Sequence, residues 1–207
     1  MIKQKLIFLW IVSSFIYCLS LSAHEKYSLR LSMAQASKND FGEILSGTTT
    51  PTTPKAYTIG VEGGWLWLED SWNIPLDFYL KGGVNRFLEP DVANHKDFFE
   101  FTFYIKAYYK VDFWSNQVRF GIGEGISYAL DIPYVEYVEA LAEGGENSKY
   151  LNYLEVSVDM DIARLLRVGE EVYIGYAIKH RSGIYGLIND VDKGGSNYNM
   201  ITLETNF

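Results

Sequence analysis

Residues 99–111 read Phe99-Glu100-Phe101-Thr102-Phe103-Tyr104-Ile105-Lys106-Ala107-Tyr108-Tyr109-Lys110-Val111. Phe99, Phe101, Phe103, Ile105, Ala107, Tyr109 and Val111 share one parity. Glu100, Thr102, Tyr104, Lys106, Tyr108 and Lys110 share the other. In an extended chain successive side chains point to opposite faces, so this stretch presents one apolar face and one polar face. The run is also longer than the ~9–11 residues with which a tilted strand crosses a bilayer.

The same period of two recurs along the chain. Tyr57, Ile59, Val61, Trp65 and Trp67 alternate with Thr58, Gly60, Glu62 and Gly64, and Leu76, Phe78, Leu80 and Val84 alternate with Asp77, Tyr79, Lys81 and Asn85. Strands are expected near 27–37, 57–67, 76–87, 98–111, 117–130, 150–161, 171–182 and 196–207. Their number is even, as a single-chain bacterial barrel requires. The connections 38–56, 88–97, 131–149 and 183–195 are long, whereas 68–75, 112–116 and 162–170 are shorter. Long outer loops and short periplasmic turns are the asymmetry of such barrels. The expected fold is therefore all-β, an eight-stranded antiparallel transmembrane β-barrel of the outer membrane.

A soluble lipocalin-like barrel or sandwich would alternate too, with its apolar face inward. Strand length, aromatic content, and small or polar residues on the second face favour the membrane. The 207 residues include 5 Trp, 16 Tyr and 12 Phe, 16% aromatic in all, against 5 Pro. Trp65, Trp67, Trp72 and Trp114 fall near the short turns, where an interfacial aromatic girdle belongs. The acidic stretch Asp131 to Glu146 is expected to be a solvated loop with a short helix. The mean hydropathy of −0.06 is too low for a helical membrane bundle.

Met1 to Ala23 reads as a secretory signal: Lys3 and Lys5, an apolar run from Leu6 to Tyr17, then Leu21-Ser22-Ala23. The apolar run is shorter than the ~20 residues of a spanning helix. Cys18, with Tyr17 before it, is expected to leave with this leader, and 24–207 form the barrel domain. Removing the two lysines takes the formal charge from −8 to −10. Such a chain lacks the basic stripe of a nucleic-acid binder. A single cysteine excludes a disulfide framework within the chain and a cysteine-cluster metal site.

The alternation breaks in one place. Glu124 in the fifth strand, Asn152 in the sixth, His180 and Ser182 in the seventh, and Asn197 and Asn199 in the eighth occupy positions of lipid-facing parity. Counted from the periplasmic ends they lie at similar heights, near the outer leaflet. Ionisable groups facing lipid are costly and are functional suspects, although the headgroup zone lowers that cost.

His180 and Ser182 carry the sharpest chemistry. A serine hydroxyl becomes a nucleophile beside a base, and histidine has a suitable pKa. Residues i and i+2 of a strand share a face but lie roughly 6.6 Å apart, so a direct hydrogen bond needs a local bend. Gly183 permits one, and Gly183 and Gly186 are the candidate backbone N–H donors of an oxyanion hole. His95, in a long loop with Glu89, Asp91 and Asp97, reads as a solvated residue.

The stretch Ile174-Gly175-Tyr176-Ala177-Ile178-Lys179-His180-Arg181-Ser182-Gly183, followed by Gly186-Leu187, Asn189 and a closing strand to Phe207, resembles the PagL-type lipid A 3-O-deacylases. These form an outer-membrane acyloxyacyl hydrolase-like family. The motif covers about the last 35 residues; elsewhere the likeness is in strand number and length. The resemblance implies hydrolysis of the 3-position ester of lipid A, with Ser182 as nucleophile, His180 as base and no cofactor. The family's Asn after the serine is Gly183 here. Its histidine-orienting Glu in the last strand corresponds to Asn197, counted back from the C-terminus. Glu124, two strands away at roughly 9–10 Å, is the second candidate orienter. Asp192 and Asp190 in the last loop are further ones.

Two functions follow. One is an esterase acting on lipid A or lipopolysaccharide arriving laterally in the outer leaflet. The other is a non-catalytic barrel with a structural or lipopolysaccharide-binding role. A homodimer is compatible with both, and eight strands leave no interior for a pore.

Overall fold

The computed structural model describes residues 26–92, 95–167, 171–191 and 195–207. The leader, Cys18 and Asp192 lie outside them. Eight strands close into an antiparallel barrel in sequence order, with β1 returning to β8. They are β1 Tyr27–Ser37, β2 Tyr57–Leu68, β3 Leu76–Leu88 and β4 Phe98–Phe113. The remaining four are β5 Asn116–Ala129, β6 Tyr150–Asp161, β7 Val172–Ser182 and β8 Gly195–Asn206. All eight expected strands are present, with ends shifted by one or two residues. The largest change is the β4–β5 turn, which shrinks to Trp114 and Ser115 because pairing continues to Phe113↔Asn116.

The two faces are those of the alternation. Phe101, Phe103, Ile105, Phe120, Ile122, Val158, Ile174 and Ile201 are exposed on the outer wall. Trp65, Trp67, Trp72 and Trp114 are exposed at the end that carries the short turns. No helix among the described residues is long and apolar enough to cross a membrane.

The interior is filled with charge. Arg30, Lys81, Lys106, Lys179 and Arg181 are fully buried, together with Tyr104, Tyr108, Tyr153, Tyr173 and Tyr198. Burying an ion costs several kcal/mol unless it is paired, and here the pairs cross the lumen. Arg30 meets Glu62 at 3.1 Å and Glu155 at 2.9 Å, and Lys106 also meets Glu155. Lys81 and Arg119 meet Glu204, while Lys179 and Arg181 meet Glu100. This packed network leaves the barrel a plugged cylinder, as its small strand number requires.

The described residues also hold three short α-helices, α1 Phe41–Leu45, α2 Tyr134–Glu143 and α3 Ile162–Leu166, and a 3-10 turn at Ser71–Asn73. The acidic 131–146 stretch does hold a helix, but it is not simply a solvated surface. In α2, Glu136 and Ala140 are buried and Val135 packs on the cluster of Phe87, Phe98, Ala129 and Tyr198. Glu136 accepts a hydrogen bond from Ser196 Oγ at 2.6 Å and pairs with Arg181 Nε at 3.2 Å. The helix thus closes the barrel mouth because one acidic side chain answers a buried arginine.

Candidate active site

The strand register aligns the polar residues of the outer wall. Glu124 pairs with Leu154, Leu154 with His180, His180 with Asn197, and Asn197 with Ser37. Glu124, His180 and Asn197 therefore lie in one row around the barrel. Asn152 and Ser182 are cross-strand partners in the next row outward.

His180 Nδ1 lies 2.7 Å from Asn197 Oδ1. The amide orientation follows from its other end, because Asn197 Nδ2 donates to the Asn39 carbonyl at 3.0 Å. With the amide oxygen facing the ring, Nδ1 carries the hydrogen, and Nε2 is left with its lone pair. The neighbouring pair of strands thus supplies a tautomer lock. Of the candidate orienters among the described residues, Asn197, Glu124 and Asp190, Asn197 is the one in contact; Asp192 lies outside them. Glu124 is exposed on the wall two strands from His180, and its carboxyl interacts with the Asn152 side chain. Asp190 is exposed in the β7–β8 loop.

Ser182 is half-buried at the end of β7. Among the described residues no hydrogen bond joins it to His180; the strand spacing separates them along one face. Gly183 is buried against the Val191 carbonyl, where a Cβ would come within 2.0 Å of that oxygen. The chain turns sharply here, with Ile184 and Tyr185 in the left-handed region. Gly186 has φ +84°, and its N–H donates to the Val191 carbonyl at 2.9 Å. The same bond that shapes the loop therefore engages the Gly186 N–H.

The sequence reading missed the segment that covers the histidine. After β1 the chain folds back over the outer wall, and the Phe41 ring lies 5.0 Å from the His180 ring. Glu43 Oε2 accepts from the Asp40 N–H at 3.2 Å and from Asn39 Nδ2 at 2.9 Å, which fixes the first turn of α1. The signal was present: Asp40 three residues before Glu43, then apolar side chains at 41, 44 and 45, is a capping pattern with one apolar face.

His95 is not a freely solvated residue. It is half-buried, with its ring 5.3 Å from Tyr134 and 5.5 Å from Tyr137, so it braces α2. If the chain is the esterase that the sequence resemblance implies, His95→Ala is expected to leave its turnover unchanged within about twofold. Turnover measured alongside the heat-modifiable gel shift checks this, and a large loss in the folded variant would contradict it.

No protein-family model and no curated protein matches the chain. Solved structures do. The outer-membrane enzyme PagL superposes with a TM-score of 0.57 at 13% identity, over 84% of this chain and 97% of its own. Neisserial surface protein A gives 0.49 at 15% identity, over 87% and 97%. The N-terminal β-barrel domain of Pseudomonas aeruginosa OprF gives 0.43 at 8% identity, over 88% and 98%. The closed eight-stranded barrel and the PagL superposition together give the chain the fold of an outer-membrane barrel. Fold alone does not decide activity.

Proposed function

We propose that this chain is a multi-pass protein of the bacterial outer membrane and an ester hydrolase that removes the 3-O-linked acyl chain of lipid A. Ser182 is the nucleophile and His180 the base. One observation carries the reading: a histidine on the lipid-facing wall whose Nδ1 meets Asn197 Oδ1 at 2.7 Å, two residues before a serine on the same face. A general base needs one tautomer held with its other nitrogen free, and the Asn197 amide holds it that way. The outer leaflet supplies an ester that reaches this wall laterally.

In this mechanism His180 Nε2 takes the proton of Ser182 Oγ as Oγ bonds to the ester carbonyl carbon. The carbonyl π electrons move to oxygen, and the oxyanion lies beside the Gly183 N–H. A contribution from Gly186 requires it to leave the Val191 carbonyl. Collapse expels the sugar oxygen, which takes the proton from Nε2. Water then repeats the sequence on the acyl-serine, releasing the fatty acid. The Ser182–His180 gap closes when substrate seats, as catalytic hydrogen bonds often tighten in the complex. That same gap favours the second reading, a barrel that binds lipopolysaccharide without cleaving it.

Asn197 separates the two. An amide orients the imidazole but stabilises its cation less than a carboxylate does. Asn197→Ala is expected to lower turnover on the order of 10²-fold, and Asn197→Glu to retain or raise it. Release of fatty acid from purified lipid A measures both. Unchanged turnover in Asn197→Ala beside a large loss in Glu124→Gln would transfer the role to β5.

A further inference from the structure

Two polar residues of the outer wall have no part in the mechanism above. Glu124 is exposed on β5, and Asn152 on β6 is only 6% exposed. Asn197 already holds the His180 ring, so neither is needed to orient the base. Around them the wall is apolar: Phe103, Ile105, Ile122 and Ile126 are all exposed. A carboxylate among lipid-facing side chains is costly, less so near the headgroups, and marks a functional site by default. Here no cation offsets that cost. Among the described residues, the polar group that acts on the Glu124 carboxyl is the Asn152 side chain.

The register places this pair against the nucleophile. Asn152 is the cross-strand partner of Ser182, so their Cβ atoms lie roughly 4.5–5.5 Å apart on one face. Leu154 pairs with Glu124 on one side and with His180 on the other. Glu124 and His180 therefore flank Asn152 diagonally, one row nearer the bilayer centre. Ser182 and Glu124 stand on opposite sides of Asn152, with Glu124 the deeper of the two.

Depth decides which half of an ester meets the pair. With the carbonyl at Ser182, the sugar lies outward, toward the headgroups, and the acyl chain inward. Glu124 lies inward of Ser182, so the pair faces the acyl half. Its chemistry then selects a substituent. A carboxylate only accepts hydrogen bonds, whereas an amide both donates and accepts. A hydroxyl answers both: it donates to the Glu124 carboxylate and accepts from Asn152 Nδ2. A plain methylene chain would desolvate the carboxylate and return no hydrogen bond. An ammonium belongs to the headgroups, outward of this row.

We propose that Asn152 and Glu124 bind a hydroxyl carried by the acyl chain that is cut, on the carbon next but one to the ester carbonyl. They thereby select 3-hydroxyacyl esters over unsubstituted ones. The proposal rests on the esterase reading given above. With the carbonyl carbon bonded to Ser182 Oγ, a substituent on the adjacent carbon stays at the reacting centre. A hydroxyl one carbon further reaches across the ~4.8 Å between β7 and β6 toward the Asn152 amide. Asn152 then holds the hydroxyl beside the nucleophile, and Glu124 takes its hydrogen bond from below.

The test uses the full chain in detergent micelles with p-nitrophenyl dodecanoate and p-nitrophenyl 3-hydroxydodecanoate. Each kcat/KM is divided by the rate constant of that ester with hydroxide, which removes the hydroxyl's own effect on reactivity. Wild-type protein is expected to favour the hydroxy ester at least about tenfold, because a site built to hydrogen-bond a hydroxyl rejects the analogue that lacks it. Glu124→Leu and Asn152→Leu are each expected to bring this ratio within about threefold of unity. The ratio does not move when a variant merely loses folded protein, and heat-modifiable migration on gels records folding separately. No preference in the wild type, or a full preference retained in either folded variant, would overturn the proposal and leave the esterase standing. Hydrolysis of neither ester by folded wild-type protein would reject the esterase, and this proposal with it.

Discussion

Ser182→Ala and His180→Ala are each expected to reduce the proposed ester hydrolysis by at least about 10³-fold and to leave the barrel folded. Without the hydroxyl no acyl intermediate forms. Without the imidazole the hydroxyl keeps its proton. Neither side chain supports the interior ion network: Ser182 is half-buried at the last residue of β7, and His180 faces outward onto Phe41. Their loss should therefore leave folding nearly untouched. The pair is measured by fatty-acid release from lipid A, with heat-modifiable migration on gels as the folding control. Because nucleophile and base act as a unit, the double variant should be barely worse than either single one. Normal turnover in folded Ser182→Ala would reject the mechanism.

Glu155→Gln is expected to cost stability on the order of 3–5 kcal/mol, the cost of breaking a buried ion pair from one side. Glu155 is the shared partner of two buried cations, Arg30 at 2.9 Å and Lys106, and accepts from Tyr153 Oη at 2.6 Å. Among the described residues, neutralising it removes the ion-pair partner of Lys106 and leaves Arg30 paired with Glu62. The surface pair of Arg86 in β3 and Asp97 before β4, at 2.8 Å, is about half exposed on the arginine side. Asp97→Asn should therefore cost under about 1 kcal/mol. Urea unfolding in lipid vesicles compares the two. Similar, small losses for both would mean that the interior network is hydrated rather than sealed.

Strand number, strand limits and the sidedness of each strand were legible because one rule, period two over long runs, governs them all. The Phe99–Val111 stretch suffices to show which face is apolar, and the register then follows from closure. The contacts inside the barrel were not legible. Lys81 meets Glu204 and Arg30 meets Glu155 across the lumen, and the alternation says only that each points inward. Nor does periodicity reveal that Glu136, in an acidic stretch, is drawn down onto Arg181.

At the site, the row of His180, Asn197 and Glu124 was readable by counting along strands, since a strand rises evenly. Counting also ranked Asn197 above Glu124, because neighbouring strands lie closer than alternate ones. What counting cannot supply is local loop shape. Gly186 looked free to donate to an oxyanion, yet its N–H holds Val191. Residues 38–50 looked like an outer loop, yet they lie against the wall because Phe41 and Ile44 find an apolar surface on β7. His95 looked solvated and instead packs on two tyrosines, since α2 brings an aromatic face to it.

The central claim, that this barrel cleaves lipid A, is tested most directly by mass spectrometry of lipid A from bacteria that make the chain. Wild-type protein should produce a species lighter by one hydroxyacyl chain, absent from cells making Ser182→Ala at equal, folded abundance. Identical spectra in the two strains would contradict it and leave a barrel that holds the lipid without cutting it.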